Sequence, residues 1–301
     1  AVLKDDPLVG DLAVQRLIHY TTVTREDFPF RGRQTDLMAS GKLFDDLGLP
    51  PLSVADDRAM ICGSMDMLRD TKAALEGFGT VKDGKTAKQM VDWARKYGIQ
   101  STIHTGGPSI PGSGLIDADM VLETGTDVIG HVNGGHSALP DDQIVCLCES
   151  CSASLEIVHN GNERAALLTL NTARALKQLD RLILGTDGPA GSGVQPLGIL
   201  RMVAMLSSLG HVVAETAFCF ANGNTSRQRE LDTGLIEIGK CADFVLMDQA
   251  QHAPGKNILE SIQLGNLPGV GMTIIDGRVC SLRSRNTPPA QRLPEIVTTQ
   301  P

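Results

Sequence analysis

The sequence predicts an α/β fold built on consecutive βα units, and three observations carry that prediction. Four short apolar runs each stop at a polar group: Ile99 to Ile103 at His104, Val128-Ile129-Gly130 at His131, Leu155 to Val158 at His159, and Leu182 to Thr186 at Asp187. Successive ends lie about 27 residues apart, enough for a strand, a helix and two loops. An amphipathic stretch, Thr86 to Tyr97, precedes the first run and is closed by Gly98. Parallel strands put their C-terminal ends on one face, so His104, His131 and Asp187 are expected to meet there.

Composition narrows the class. With 301 residues and 42% hydrophobic content the chain can bury one large core or two smaller ones. A net charge of −8 and 3% aromatic residues argue against nucleic acid, which calls for a basic surface and often stacking rings. No run approaches the roughly 18 apolar residues of a membrane span, and Ala-Val-Leu-Lys-Asp-Asp is no secretory h-region. A cytoplasmic protein acting on a small molecule is the expectation, and a homo-oligomer is compatible with it. The seven cysteines are irregularly spaced, which argues against a disulfide framework. Cys146, Cys148 and Cys151 look like half a zinc site, but no second pair follows at the required spacing, so they read as small apolar residues near a helix end.

In chain order, Arg16 to Val23 is a strand candidate and Thr35 to Leu43 looks helical. Leu47 to Leu52 is a loop, and Asp57 to Ser64 is a short buried strand opening into a helix, Met65 to Glu76. Ile18 to Glu26, Gly32-Arg33, Ser40 to Phe44 and Ala59 to Ser64 resemble the C-terminal part of bacterial ferredoxin–NADP reductases. The resemblance covers residues 3–79. It implies a flavodoxin-like, NADP-domain βα fragment in which Arg25 and Arg33 clamp the 2′-phosphate of NADP and Cys62 and Gly63 lie beside the nicotinamide. The flavin-binding barrel and the glycine-rich turn of that family are not found in these 301 residues, so reductase activity is not expected.

From residue 80 a second resemblance takes over. His104 to Ser113, Gly130 to Gly135, Glu156-Ile-Val, Asp187 to Arg201, Thr233 to Asp243 and Ser284 to Arg292 resemble metal-dependent amidohydrolases, and among them the enamidases. The resemblance implies the second half of a TIM-type (β/α) barrel over residues 80–230 and β-sandwich strands with a tail over 231–301. Ala242 to Asp248 and Met272 to Ser281 read as those strands, the second a hairpin turning at Asp276-Gly277, and Ser284 to Pro301 as a surface wrap or a disordered tail. It also implies hydrolysis of the C–N bond of a cyclic amide with zinc or iron. His104 and His131 would be ligands on the fifth and sixth barrel strands, and Asp187 on the eighth would be ligand and proton shuttle.

The residue types suit that chemistry. Imidazole binds zinc or iron, a carboxylate can both ligate and move protons, and a divalent metal brings the pKa of bound water to about 7. The loop carrying Thr105, Gly106, Gly107 and Ser109 offers N–H groups and hydroxyls to a substrate carboxylate. His159 and His136 fall outside the metal positions. No His-x-His, the motif that opens the amidohydrolase barrel, occurs among the 301 residues, so one ion at best is expected. Six parallel strand candidates are too few to close eight, which predicts an open sheet. A reductase remnant binding NADP(H) and an inactive fusion are the alternatives.

Overall fold

The computed structural model describes residues 18, 20–24, 27, 29–52, 84–107, 114–134, 138–188 and 193–297. The chain divides into two compact units, Ala1–Lys82 and Asp83–Pro301.

In the first unit the expected helix over 35–43 is two helices, α1 (Gln34–Ala39) and α2 (Lys42–Leu47). They are parted at Gly41, whose φ of 79° cannot propagate a right-handed helix. Leu37 and Phe44 are buried, and the Tyr20 hydroxyl donates to Asp46 at 2.6 Å beside a Lys42–Asp46 pair at 2.8 Å. Those bonds hold Asp46, through Lys42 first, below the usual carboxylate range and push Tyr20 up to about 12. The expected strand over 16–23 is not a ladder in its described part: Val23 makes a single parallel bridge to Arg31. The expected strand and helix over 57–76 lie outside the described residues, as do Arg25, Cys62 and Gly63.

The second unit begins with α3 (Gly84–Lys96), ended at Gly98 by a φ of 70°. Of its predicted stripe only Val91 is buried; Ala87 and Ala94 are half-buried, while Met90 and Tyr97 are exposed. The stripe is narrower than expected because α3 packs chiefly on one neighbour, α4 (Ala118–Thr124), beside the edge of the sheet.

The sheet follows in strict alternation. Strands β1 (Thr102–His104), β2 (Val128–Gly130), β3 (Ser154–Val158) and β4 (Leu182–Gly185) lie side by side in that order, all parallel. Helix α4 joins the first pair, α5 (Asp141–Ser150) the second and α6 (Glu163–Ala175) the third. Helices α7 (Gly198–Ser208), α8 (Ala214–Ala221) and α9 (Gly223–Arg229) follow β4. Side chains alternate across each strand, so the register puts Ile103, Ile129, Leu155, Ile157, Leu182 and Leu184 on one face. There they join a core with Ile144, Leu147, Leu170, Leu206 and Phe220. Burying a side chain of this size contributes about 1.5–3 kcal/mol, which makes this face the main support of the unit. The opposite face carries Thr102, His104, Gly130, Glu156 and Gly185. Asp117 and Asn162 cap α4 and α6, accepting from Met120 N and Ala165 N.

A second, antiparallel sheet contains β5 (Phe244–Asp248), β6 (Gly269–Ile275) and β7 (Arg278–Ser281). Asp276 and Gly277, with φ of 49° and 71°, form the β6–β7 turn, the left-handed pair that suits a two-residue hairpin. Between β5 and β6 lies α10 (Ile258–Gln263). The tail wraps this sheet: Ala290 bridges Ala250, and Arg292 grips Asp248 at 2.9 and 3.0 Å. That guanidinium holds the Asp248 carboxyl down at about 2. Among the described residues no helix is long and apolar enough to cross a membrane.

Candidate functional site

The parallel sheet brings the predicted groups to its C-terminal end. His104 is the last residue of β1 and His131 follows β2 directly; Asp187 comes two residues after β4. The His104 and His131 rings meet edge to face, centroids 4.3 Å apart at 77°. Asp187 is close enough for its charge to act on His104. Partial withdrawal of the ring from water, although the residue as a whole is exposed, is the main influence holding the His104 imidazole below its usual value, His131 lowers it further, and Asp187 opposes both.

Glycine makes the approach of the first two strands possible. A Cβ on Gly130 would lie 2.9 Å from the Ile103 carbonyl oxygen, so β1 and β2 can adjoin in this register only without a side chain there. Past the strand ends the backbone turns sharply: His131 has a φ of 37° and Asp187 of 52°, a region that non-glycine residues rarely enter. Both are held in it. The buried Thr105 hydroxyl reaches the His131 carbonyl at 3.1 Å, and the Asn160 amide donates to the Asp187 carbonyl at 3.0 Å. Strained backbone kept in place by its surroundings is characteristic of functional sites.

Thr105 therefore braces His131, and Gly106 exchanges both backbone bonds with Ile116 at 3.0 Å. Neither group is turned outward as the loop reading expected. Gly107 is half-buried, and Ser109 lies outside the described residues, as does His136. Arg33 of the first unit is exposed just before α1.

Two supports were not singled out from the sequence. Asn133 is buried, donates to the Val158 carbonyl at 2.9 Å and accepts from Val158 N at 2.9 Å, so its amide extends the β2–β3 pairing beyond the strands. Its place in the Gly-His-Val-Asn-Gly-Gly run was the available signal. Arg229, at the end of α9, reaches across the polar face of the sheet to Thr102 Oγ1 at 2.9 Å and Glu156 at 3.4 Å. No local pattern announces a contact between residues so far apart in sequence.

The donor types fit a divalent metal, and one observation points the same way: His131 Nδ1 is buried without a hydrogen-bond partner. Among the described residues, however, no three His, Cys, Asp or Glu side chains are arranged closely enough to hold an ion. The two imidazoles are together, and Asp187 is near but exposed. At the cysteine cluster, Cys148 is buried in α5 with its thiol pushed up to about 11 by that burial, as suits a structural residue.

The model of the amidohydrolase family matches residues 57–280. Enamidase of Eubacterium barkeri is 39% identical over 221 residues, which is 73% of this chain and 57% of that protein. The crystal structure of enamidase superposes with a TM-score of 0.69 at 33% identity, covering 86% of this chain and 70% of that one. Ferredoxin–NADP reductase of Pseudomonas aeruginosa is 58% identical over 78 residues, 26% of this chain and 30% of the reductase. The chain thus spans little more than half of the first relative and under a third of the second.

Proposed function

The chain belongs to the amidohydrolase family, and from that premise we propose that it hydrolyses the C–N bond of a small cyclic amide, as an enamidase-like enzyme of the cytoplasm. His104 and His131, whose rings meet, are the residues that would hold one zinc or iron ion, with Asp187 the expected third ligand although it does not stand within reach of such an ion here. Such an ion supplies a polarised carbonyl and water activated at neutral pH.

The remaining work falls to side chains of this chain. Asp187 takes the proton of the attacking water and returns it to the leaving nitrogen, the two halves of general acid–base catalysis. Its exposed carboxylate and its influence on His104 support that role. Thr105 and Asn160 fix the backbone of His131 and Asp187 in their left-handed turns. Ser109 remains a candidate for contact with a substrate carboxylate, while Thr105 and Gly106 are engaged with protein groups.

The observation that carries this reading is the buried, unpartnered Nδ1 of His131 beside the His104 ring. Burying a polar atom without a partner is costly, and a site that takes a ligand accounts for it. The test is metal analysis of the purified full chain after dialysis against zinc or iron, together with chromatography of a six-membered lactam incubated with it. About one ion per chain, lost in His131→Ala, and appearance of the ring-opened amino acid are expected. Metal no higher than in a buffer blank, in a chain with native circular dichroism, overturns the proposal. The 58% identity to a reductase over 78 residues supports NADP(H) binding as a second reading. Affinity for NADP that falls in Arg33→Ala would uphold it.

A further inference from the structure

Beside the strand-end site, a cavity of about 320 Å³ lies along one face of α7 and is also lined by His159 at the end of β3, by Glu163 and by residues of the α10–β6 loop. None of His104, His131 or Asp187 lines it. Its walls are sorted by chemistry. Arg201 and Met205 stand one turn apart on α7, and Leu209 one turn further, so the run from Arg201 to Leu209 covers about 12 Å at the helical rise. His159 and Glu163 are polar lining residues from the β3–α6 side, and Leu267 adds an apolar one from the α10–β6 loop.

The charges are the informative part. Arg201 and Glu163 both line this cavity at its exposed rim, where they are not an ion pair with each other and face solvent rather than another described side chain. Opposite charges on one cavity that do not close on each other leave room for a group carrying both signs. His159 Nδ1 is a further unsatisfied polar atom here, buried and unpartnered. A carboxylic acid alone would meet repulsion from Glu163, and an amine alone would meet it from Arg201. A dipolar head satisfies both, and Met205, Leu209 and Leu267 provide an apolar surface for a chain attached to it.

We propose that this cavity binds a free aliphatic amino acid, with its carboxylate on Arg201, its ammonium on Glu163 and its side chain along Met205, Leu209 and Leu267. None of His104, His131 and Asp187 lines the site, and the assignment does not rest on the hydrolytic reading.

Titration calorimetry of the full chain with L-norleucine tests the assignment, using hexanoate and hexylamine as single-charge controls. Norleucine is expected to bind at millimolar concentration or below, with each control about tenfold weaker or worse. Arg201→Gln should abolish norleucine binding. Glu163→Gln should weaken norleucine and raise hexanoate toward it, a gain for one ligand with a loss for the other that misfolding cannot produce. Asp187→Asn should leave norleucine affinity unchanged. Hexanoate binding as tightly as norleucine to the unaltered chain, no heat with millimolar norleucine, or loss of binding in Asp187→Asn would each overturn the proposal.

Discussion

The two histidines of the candidate site sit on unlike supports. His131 follows a strand buried along its whole length, flanked on both sides by other strands and extended by the Asn133 amide. His104 ends a three-residue strand at the edge of the sheet, with Thr102 and His104 exposed. Strand β1 is held instead by polar ties at its start: Asp127 accepts from Ser101 N and Oγ at 2.8 Å and pairs with Arg95 at 3.0 Å, while Arg229 holds Thr102. The difference teaches that one half of the site is fixed by packing and the other by hydrogen bonds, so the two halves should fail under different conditions.

The sharpest way to break that comparison is Asn133→Ala. It leaves Val158 N without a partner inside the core, while the Val158 carbonyl keeps Gly161 N, and the expected loss is about 1–3 kcal/mol in urea unfolding. A loss under about 1 kcal/mol would mean the interior half is not held as described. On the edge, Asp127→Ala should lower global stability by only about 1–2 kcal/mol while speeding amide exchange in β1 more than in β3. Equal acceleration in both strands would remove the distinction.

Acid sharpens it. Burial alone would raise the Asp127 pKa, but the bonds from Ser101 and the Arg95 charge outweigh it and hold it below the ordinary carboxylate value. A depressed folded-state pKa means that the contribution is present above the unfolded value of about 3.9 and is lost as pH falls through the folded one. The edge should therefore loosen on acidification below about pH 4 before the interior does, which exchange measured across that range will reveal.

Next in size, Arg229→Ala is expected to cost about 0.5–1 kcal/mol, since the guanidinium is partly exposed and solvent screens its pairing with Glu156. Broadening of the His104 ring resonance with an unchanged His131 resonance would confirm that the tie acts on β1. The smallest effect is electrostatic. Asp187→Asn removes the one influence that raises the His104 pKa, so that pKa should move further down in an NMR titration of the metal-free chain. An upward move would show that Asp187 does not act on His104.

Much of this architecture was legible because the signals were local. Apolar runs ending at His104, His131, His159 and Asp187 marked β1 to β4, and Asp276-Gly277 marked the hairpin between β6 and β7. Where tertiary geometry decides, the reading failed. Gly41 splits α1 from α2 through a backbone angle that helical periodicity does not encode. Val23 pairs with Arg31 rather than continuing a strand. Thr105 resembled a substrate-facing hydroxyl, but it donates its hydrogen bond to a carbonyl 26 positions further along the chain. Arg229 was invisible for the same reason: its partners, Thr102 and Glu156, lie 127 and 73 positions away.

Asn133 also stands before Gly134, a dipeptide in which, whenever the segment is slack, the glycine nitrogen attacks the side-chain amide carbon, ammonia leaves and water opens the cyclic imide to a carboxylate. In the folded chain that amide is pinned on both sides by Val158. Ageing at this position should thus be slow while β2 and β3 stay joined and fast once they part. The acquired negative charge would be a permanent mark of molecules that have opened between His131 and His159.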